Sequence, residues 1–171
     1  ALSAMAGLGT NLYDEDQGQL EQKIEVTRKN IANLSQEEKL SQAHGDNLDS
    51  HLFPCSSLED SVKGRTFAIE AVTERLDIKN KVFSYLSENT DENTVLASNS
   101  SFIAGSQLSE VTNCPSRILN MHFFYPPIRM DLIEVAYSPA VEQSFIDRTI
   151  NLGNLMGRKV VVLKKDTPGF I

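Results

Sequence analysis

Apolar residues recur along this chain in two rhythms, one helical and one extended. In QLEQKIEVTRKNIANL, residues 19–34, Leu20, Ile24, Thr27 and Ile31 fall at i, i+4, i+7 and i+11. That spacing lines one face of a helix. Leu76, Val82, Phe83 and Leu86 mark another helix, and a short one is predicted near Gln107–Val111. Residues 1–8 read as the tail of a small-residue helix closed by Gly9. Ser35 with Glu38 three residues later forms a candidate capping box for a second helix after the first long one. SSLEDSV (Ser56–Val62) reads as a further short capped helix.

Extended segments lie between these helices. TNLYD (Thr10–Asp14) is a short strand ending in an acid, and TFAIEAV (Thr66–Val72) is an apolar run suited to a buried strand. TVLASN (Thr94–Asn99), RILNMHFF (Arg117–Phe124), DLIEVA (Asp131–Ala136) and KVVVL (Lys159–Leu163) complete the set. Pro139 after Ser138 reads as the first position of a helix, where no N–H is needed, and Gly157 ends that helix. Strands alternating with helices imply parallel βαβ units in a doubly wound sheet. Ligands of such sheets sit beyond the carboxyl ends of the strands. Polar residues gather at those ends: Asp14, residues 70–74, residues 99–101 and His122.

Composition narrows the function classes. A length of 171 residues favours one domain, and 40% hydrophobic with 23% charged residues is ordinary for a globular chain. The formal net charge of −7 argues against a general nucleic-acid or anionic-membrane surface, since both need basic patches. No run approaches the roughly 18 apolar residues of a membrane span. The opening ALSAMAGLGT has no basic segment of the kind that starts a signal peptide. Cys55 and Cys114 lie far apart without metal-ligand spacing. They read as reduced thiols in a reducing compartment, such as the bacterial cytoplasm or the mitochondrial matrix.

Asp14 sits where the second strand of a dinucleotide-binding fold places the acid that accepts the ribose hydroxyls, which favours NAD over NADP. Taken alone, it reads first as a strand-end or helix-capping aspartate. The glycine fingerprint that accompanies such an acid would fall before Ala1, and no G-x-G-x-x-G occurs in the chain. His122 and Glu134 carry more weight. If residues 118–124 and 131–136 pair as an antiparallel hairpin turning near Ile128, the two fall directly opposite. Opposed residues have Cβ atoms roughly 5 Å apart. A carboxylate there can accept the ring N–H, fix the tautomer and raise the basicity of the other nitrogen, making a general base. A plain buried ion pair is the competing reading. Ser100 and Ser101 can bond a substrate oxygen or simply shape a turn. The stretch KNK (Lys79–Lys81) reads as a solvated helix face and Arg129 as an exposed turn residue, while His44 and His51 are assigned no role.

The segments EAVTERLDIKNKVF, LASNSS, NMHFFYPP, DLIEV and KKDTPGFI, in this order and spacing, resemble the L-3-hydroxyacyl-CoA dehydrogenases. The resemblance runs over essentially the whole chain and is stronger from Ser57 onward. It implies NAD-dependent oxidation of the 3-hydroxyl of a 3-hydroxyacyl-CoA to the 3-oxoacyl-CoA, or the reverse, in β-oxidation or butyrate-type metabolism. His122 would be the general base, Glu134 its orienting carboxylate, and Ser101 a contact to the substrate oxygen and the nicotinamide. Asp14, Ala71, Val72, Glu74, Lys79, Asn99, Ser101 and Tyr125 would line the NAD site. Tyr125 stands where the family often has Asn, and Phe102 where many relatives carry a second serine.

The implied fold is α/β, a Rossmann-like, doubly wound, mostly parallel sheet lacking its first strand and the helical C-terminal domain. The chain is thus expected to be a partial NAD-binding domain spanning residues 1–171, a fragment with little turnover by itself, cut from an enzyme that forms a homodimer. Two other readings stay open. One is a non-catalytic, crystallin-like member of the superfamily that retains nucleotide binding. The other is a Rossmann dehydrogenase acting on a different hydroxy acid.

Overall fold

The computed structural model describes residues 1–37, 39–164, 166 and 169, whose contacts gather into two compact units, Ala1–Val62 and Lys63–Ile171. The first unit contains α1 (Leu2–Met5), β1 (Thr10–Leu12), α2 (Gln17–Gln36), α3 (Gln42–His51), β2 (Leu52–Pro54) and α4 (Leu58–Val62). β1 and β2 pair in parallel, with Thr10 opposite Leu52 and Leu12 opposite Pro54. Helix α2 follows the apolar stripe in its sequence: Leu20, Ile24, Ile31 and Leu34 are buried. Asp16 caps it, its Oδ1 accepting the Gln19 N–H at 2.9 Å.

Four details of this unit differ from the sequence reading. The turn after α1 is made by Gly7, at φ +79°, rather than by Gly9. Ser35 lies inside α2 and caps nothing, the N-cap of α3 is Ser41, and Glu38 lies outside the described residues. Helix α3 escapes periodicity analysis because Leu48 is its one buried residue. Strand β2 escapes it because two of its three residues are exposed.

The second unit is built on a five-stranded sheet in the order β3 (Phe67–Glu70), β4 (Val95–Ser98), β5 (Ile118–Phe123), β6 (Leu132–Ala136), β7 (Lys159–Leu163). β3, β4 and β5 run parallel, β6 is antiparallel to β5, and β7 is parallel to β6. All four residues of β4 are buried, as are Ile118, Leu119, Met121, Ile133 and Val135 in the strands beside it. Such continuous burial is what a covered, mostly parallel sheet demands. β3 is less buried than its apolar run suggests. It is an edge strand in which Ala68 and Glu70 face inward while Ile69 is 39% exposed.

Three helices accompany the sheet: α5 (Leu76–Asn89), α6 (Gly105–Ser109) and α7 (Gln143–Leu155). α7 begins later than its proline implies. Pro139 sits in a turn closed by the Val141 N–H on Ser138 O at 3.1 Å, and Glu142 is the N-cap. Close approach of α7 to β7 depends on Gly153, where a Cβ would come within 2.5 Å of Val160 Cγ2. This is an α/β, Rossmann-like architecture with a mostly parallel sheet. The carboxyl ends of β3, β4 and β5 carry residues 71–75, 99–104 and 122–125.

Candidate active site

The β5–β6 hairpin sets the first pair of side chains. Its register places His122 opposite Glu134. His122 Nδ1 lies 2.8 Å from Glu134 Oε2, and the glutamate is buried. An ionised carboxylate can only accept, so Nδ1 carries the proton in this bond. In the tautomer this bond selects, the lone pair is at Nε2. Nε2 lies 3.0 Å from Ser101 Oγ, so the hydroxyl donates to it. The Phe124 ring covers one side of the imidazole at a centroid distance of 5.1 Å. Serine, histidine and glutamate, drawn from three elements of one unit, thus form a continuous hydrogen-bonded line.

Ser101 sits in the loop between β4 and α6, and neighbouring groups hold that loop closely. The Asn99 N–H donates to Glu70 O at 2.8 Å, and Asn99 Oδ1 accepts the Phe123 N–H at 2.9 Å. Glu74 Oε1 accepts from the Ser100 hydroxyl and from the Phe102 N–H, the latter at 3.2 Å. Ser100 Oγ in turn accepts the Ile103 N–H at 2.7 Å. Farther along, the Asn120 amide spans the loop end, accepting the Gly105 N–H at 2.6 Å and donating to Ile103 O at 3.0 Å.

Beneath this loop lies a buried ion cluster. Lys79 Nζ donates to Glu70 Oε1 at 2.7 Å and to Val72 O at 3.2 Å, and it lies 3.2 Å from Glu74 Oε2. Glu70 also accepts from Ser98 Oγ at 2.7 Å and from the Val72 N–H at 2.6 Å. Side chains of Lys79 and Glu70 are 1% and 0% exposed, so Lys79 does not belong to a solvated face. Of its neighbours in KNK, Lys81 is exposed and Asn80 is half-buried. Burial alone would raise the Glu74 pKa, but hydrogen bonds from Ser100, Lys79 and the Phe102 N–H, with the lysine charge, outweigh it and hold the carboxyl below its ordinary value.

The remaining candidates take varied positions. Ala71 and Val72 are exposed just past β3, and Tyr125 is 89% exposed beside the cis Tyr125–Pro126 bond. Asp14 belongs to the first unit, past β1, where its Oδ1 accepts the Asp16 N–H at 3.0 Å. His44 and His51 make local bonds to Ser41 Oγ and Asn47 O. Two residues that hold the site have no individual role in the sequence reading: Asn120, and Glu70, which it counts only among the polar strand ends. The available signal for Asn120 was an amide inside an otherwise oily strand, two positions before the histidine.

Residues 1–167 match the family description "3-hydroxyacyl-CoA dehydrogenase, NAD binding domain". Among curated proteins, the 3-hydroxybutyryl-CoA dehydrogenase of Clostridioides difficile is 30% identical over 168 residues, covering 98% of this chain and 59% of that protein. The Lambda-crystallin homolog of Mus musculus is 29% identical over 171 residues, covering 99% of this chain and 54% of that protein. Among solved structures, 3-hydroxybutyryl-CoA dehydrogenase from Escherichia coli superposes with a TM-score of 0.92 at 26% identity, over 99% of this chain and 36% of that one. The chain therefore spans little more than half the length of these two curated relatives. NAD is the cofactor that this family's matched domain binds. The chain belongs to the 3-hydroxyacyl-CoA dehydrogenase family, and the part of that family it matches is the NAD-binding domain.

Proposed function

We propose that this domain serves NAD-dependent oxidation of the 3-hydroxyl of a 3-hydroxyacyl-CoA to the 3-oxoacyl-CoA, or the reverse. The observation that supports this most is the line from Ser101 Oγ through the His122 ring to Glu134, with separations of 3.0 and 2.8 Å. His122 Nε2 takes the hydroxyl proton of the substrate. Glu134 holds the ring by Nδ1 and stabilises the imidazolium that results, an interaction strengthened by its burial. The Ser101 hydroxyl donates to the same substrate oxygen as charge develops there. When bound, the nicotinamide of NAD supplies the acceptor for the hydride that leaves C3. The oxygen proton and the C3 hydride together account for the two hydrogens lost by the alcohol.

The residues present fit such a cofactor. Ala71 and Val72 are short and exposed at the β3 end, giving an apolar shelf for a flat ring, and the adjoining loop carries Ser101. Asp14 has the chemistry to accept ribose hydroxyls. The test is acetoacetyl-CoA-dependent NADH oxidation by the enzyme carrying this chain. His122→Gln should lower kcat by about 10²-fold or more, as loss of a general base does. Unchanged turnover in that variant would dismiss the base assignment.

A second reading, a non-catalytic member that keeps nucleotide binding, draws on the 29% identity to the Lambda-crystallin homolog. A purely structural protein has no use for an imidazole aligned between a carboxylate and a hydroxyl. The same assay separates the two readings: NADH binding without turnover in the unaltered enzyme would favour the structural one.

A further inference from the structure

We propose that Asn120 is a positioning residue that sets the Ser101 hydroxyl against His122. The inference rests on the proposed function and deepens it. Asn120 and His122 are two residues apart on β5, so both side chains leave the same face of the strand. Asn120 is 1% exposed, and both ends of its amide are spent on the Ser101 loop: Oδ1 on the Gly105 N–H at 2.6 Å, Nδ2 on Ile103 O at 3.0 Å. The near end of the same loop is tied to the same strand, where Asn99 Oδ1 accepts the Phe123 N–H at 2.9 Å. β5 thus staples the loop on both sides of His122, and Ser101 lies between the staples. The strand that carries His122 therefore also holds both sides of the loop that sets the 3.0 Å gap between Ser101 Oγ and His122 Nε2.

Two further observations mark this as positioning more than plain support. Gly105 lies so close to β5 that a Cβ there would come within 3.2 Å of both Asn120 Oδ1 and Leu119 Cα, so the clamp depends on a residue without a side chain. The start of α6 has another anchor. Asp166 accepts the Gly105 N–H at 3.1 Å and the Ser106 N–H at 2.7 Å. Loss of the Asn120 amide leaves that anchor in place and frees mainly Ile103 O, next to the segment that aims Ser101.

The experiment is a double-mutant cycle in the enzyme carrying this chain, with acetoacetyl-CoA and NADH. Asn120→Ala should lower kcat about tenfold while leaving the KM for NADH within about twofold, because a misplaced reacting group costs rate before it costs affinity. In a Ser101→Ala background the same substitution should cost less than about twofold, since residues that act through one another are not additive. Gly105→Ala crowds the clamp from the loop side and should show the same loss and the same disappearance. If Asn120→Ala folds too poorly to assay, the Gly105→Ala cycle decides the matter. Equal losses with and without the Ser101 hydroxyl, or no loss from Ser101→Ala itself, would overturn the proposal. Turnover surviving in His122→Gln would instead count against the base assignment, so the two failures are distinguishable.

Discussion

Lys79→Met removes the ammonium from the buried ion cluster while nearly keeping its volume. In the native protein Glu70 balances that charge at 2.7 Å, with both side chains essentially inaccessible to water. After substitution, Glu70 keeps its bonds from Ser98 Oγ at 2.7 Å and the Val72 N–H at 2.6 Å. It loses its counter-charge, and Val72 O loses a donor. Stranding one member of a buried pair costs about 3–5 kcal/mol, because an uncompensated charge remains in a poorly polarisable site. Replacing both members, as in Lys79→Met with Glu70→Gln, should recover most of that loss, since the gain of a buried pair over neutral groups is small. The assay is equilibrium denaturant unfolding of the protein, followed through a probe in this domain. A single-variant loss below about 0.5 kcal/mol, the range of ordinary surface substitutions, would show that the ammonium does not compensate a buried charge.

Other consequences follow from the same geometry. Glu74 has a lowered pKa, so it stabilises the folded state above its ordinary value of 4.5, and that stabilisation disappears as pH falls through the lowered folded value. The gap in unfolding midpoint between the native protein and Glu74→Gln should be full at neutral pH and close in acid. A gap that widens on acidification would contradict the assignment. Gly153→Ala should destabilise by about 1–3 kcal/mol through overpacking, because its Cβ would lie 2.5 Å from the stiff Val160 side chain. Val160→Ala should restore most of that loss, read as a recovered melting temperature.

The parts of the fold that were legible in the sequence are those set by local rules. The stripe Leu20–Ile24–Ile31 predicts α2 because one face of one helix is buried. The pairing of His122 with Glu134 follows from a hairpin, where turn position and strand alternation fix the register. What was not legible depends on partners distant in sequence. KNK reads as a solvated face until Glu70, on another element, takes the Lys79 ammonium. α3 and β2 bury too little of their own surface to leave a pattern, with Leu48 alone inward in the helix. Pro139 gave a real local signal that the chain uses for a turn, delaying α7 to Gln143. Asn120 leaves in the sequence only an amide within an oily strand, since its role exists only once residues 103–105 are folded against β5.

His122 is expected to face Ser101 with an unprotonated ring nitrogen, its proton held on the Glu134 side. Measuring ¹⁵N chemical shifts of the His122 ring near neutral pH, with the resonance assigned through His122→Gln, tests it directly. Nδ1 is expected to be protonated and Nε2 to carry the lone pair. A neutral ring with its proton on Nε2 would contradict it, because that nitrogen could not then accept a proton from a substrate hydroxyl.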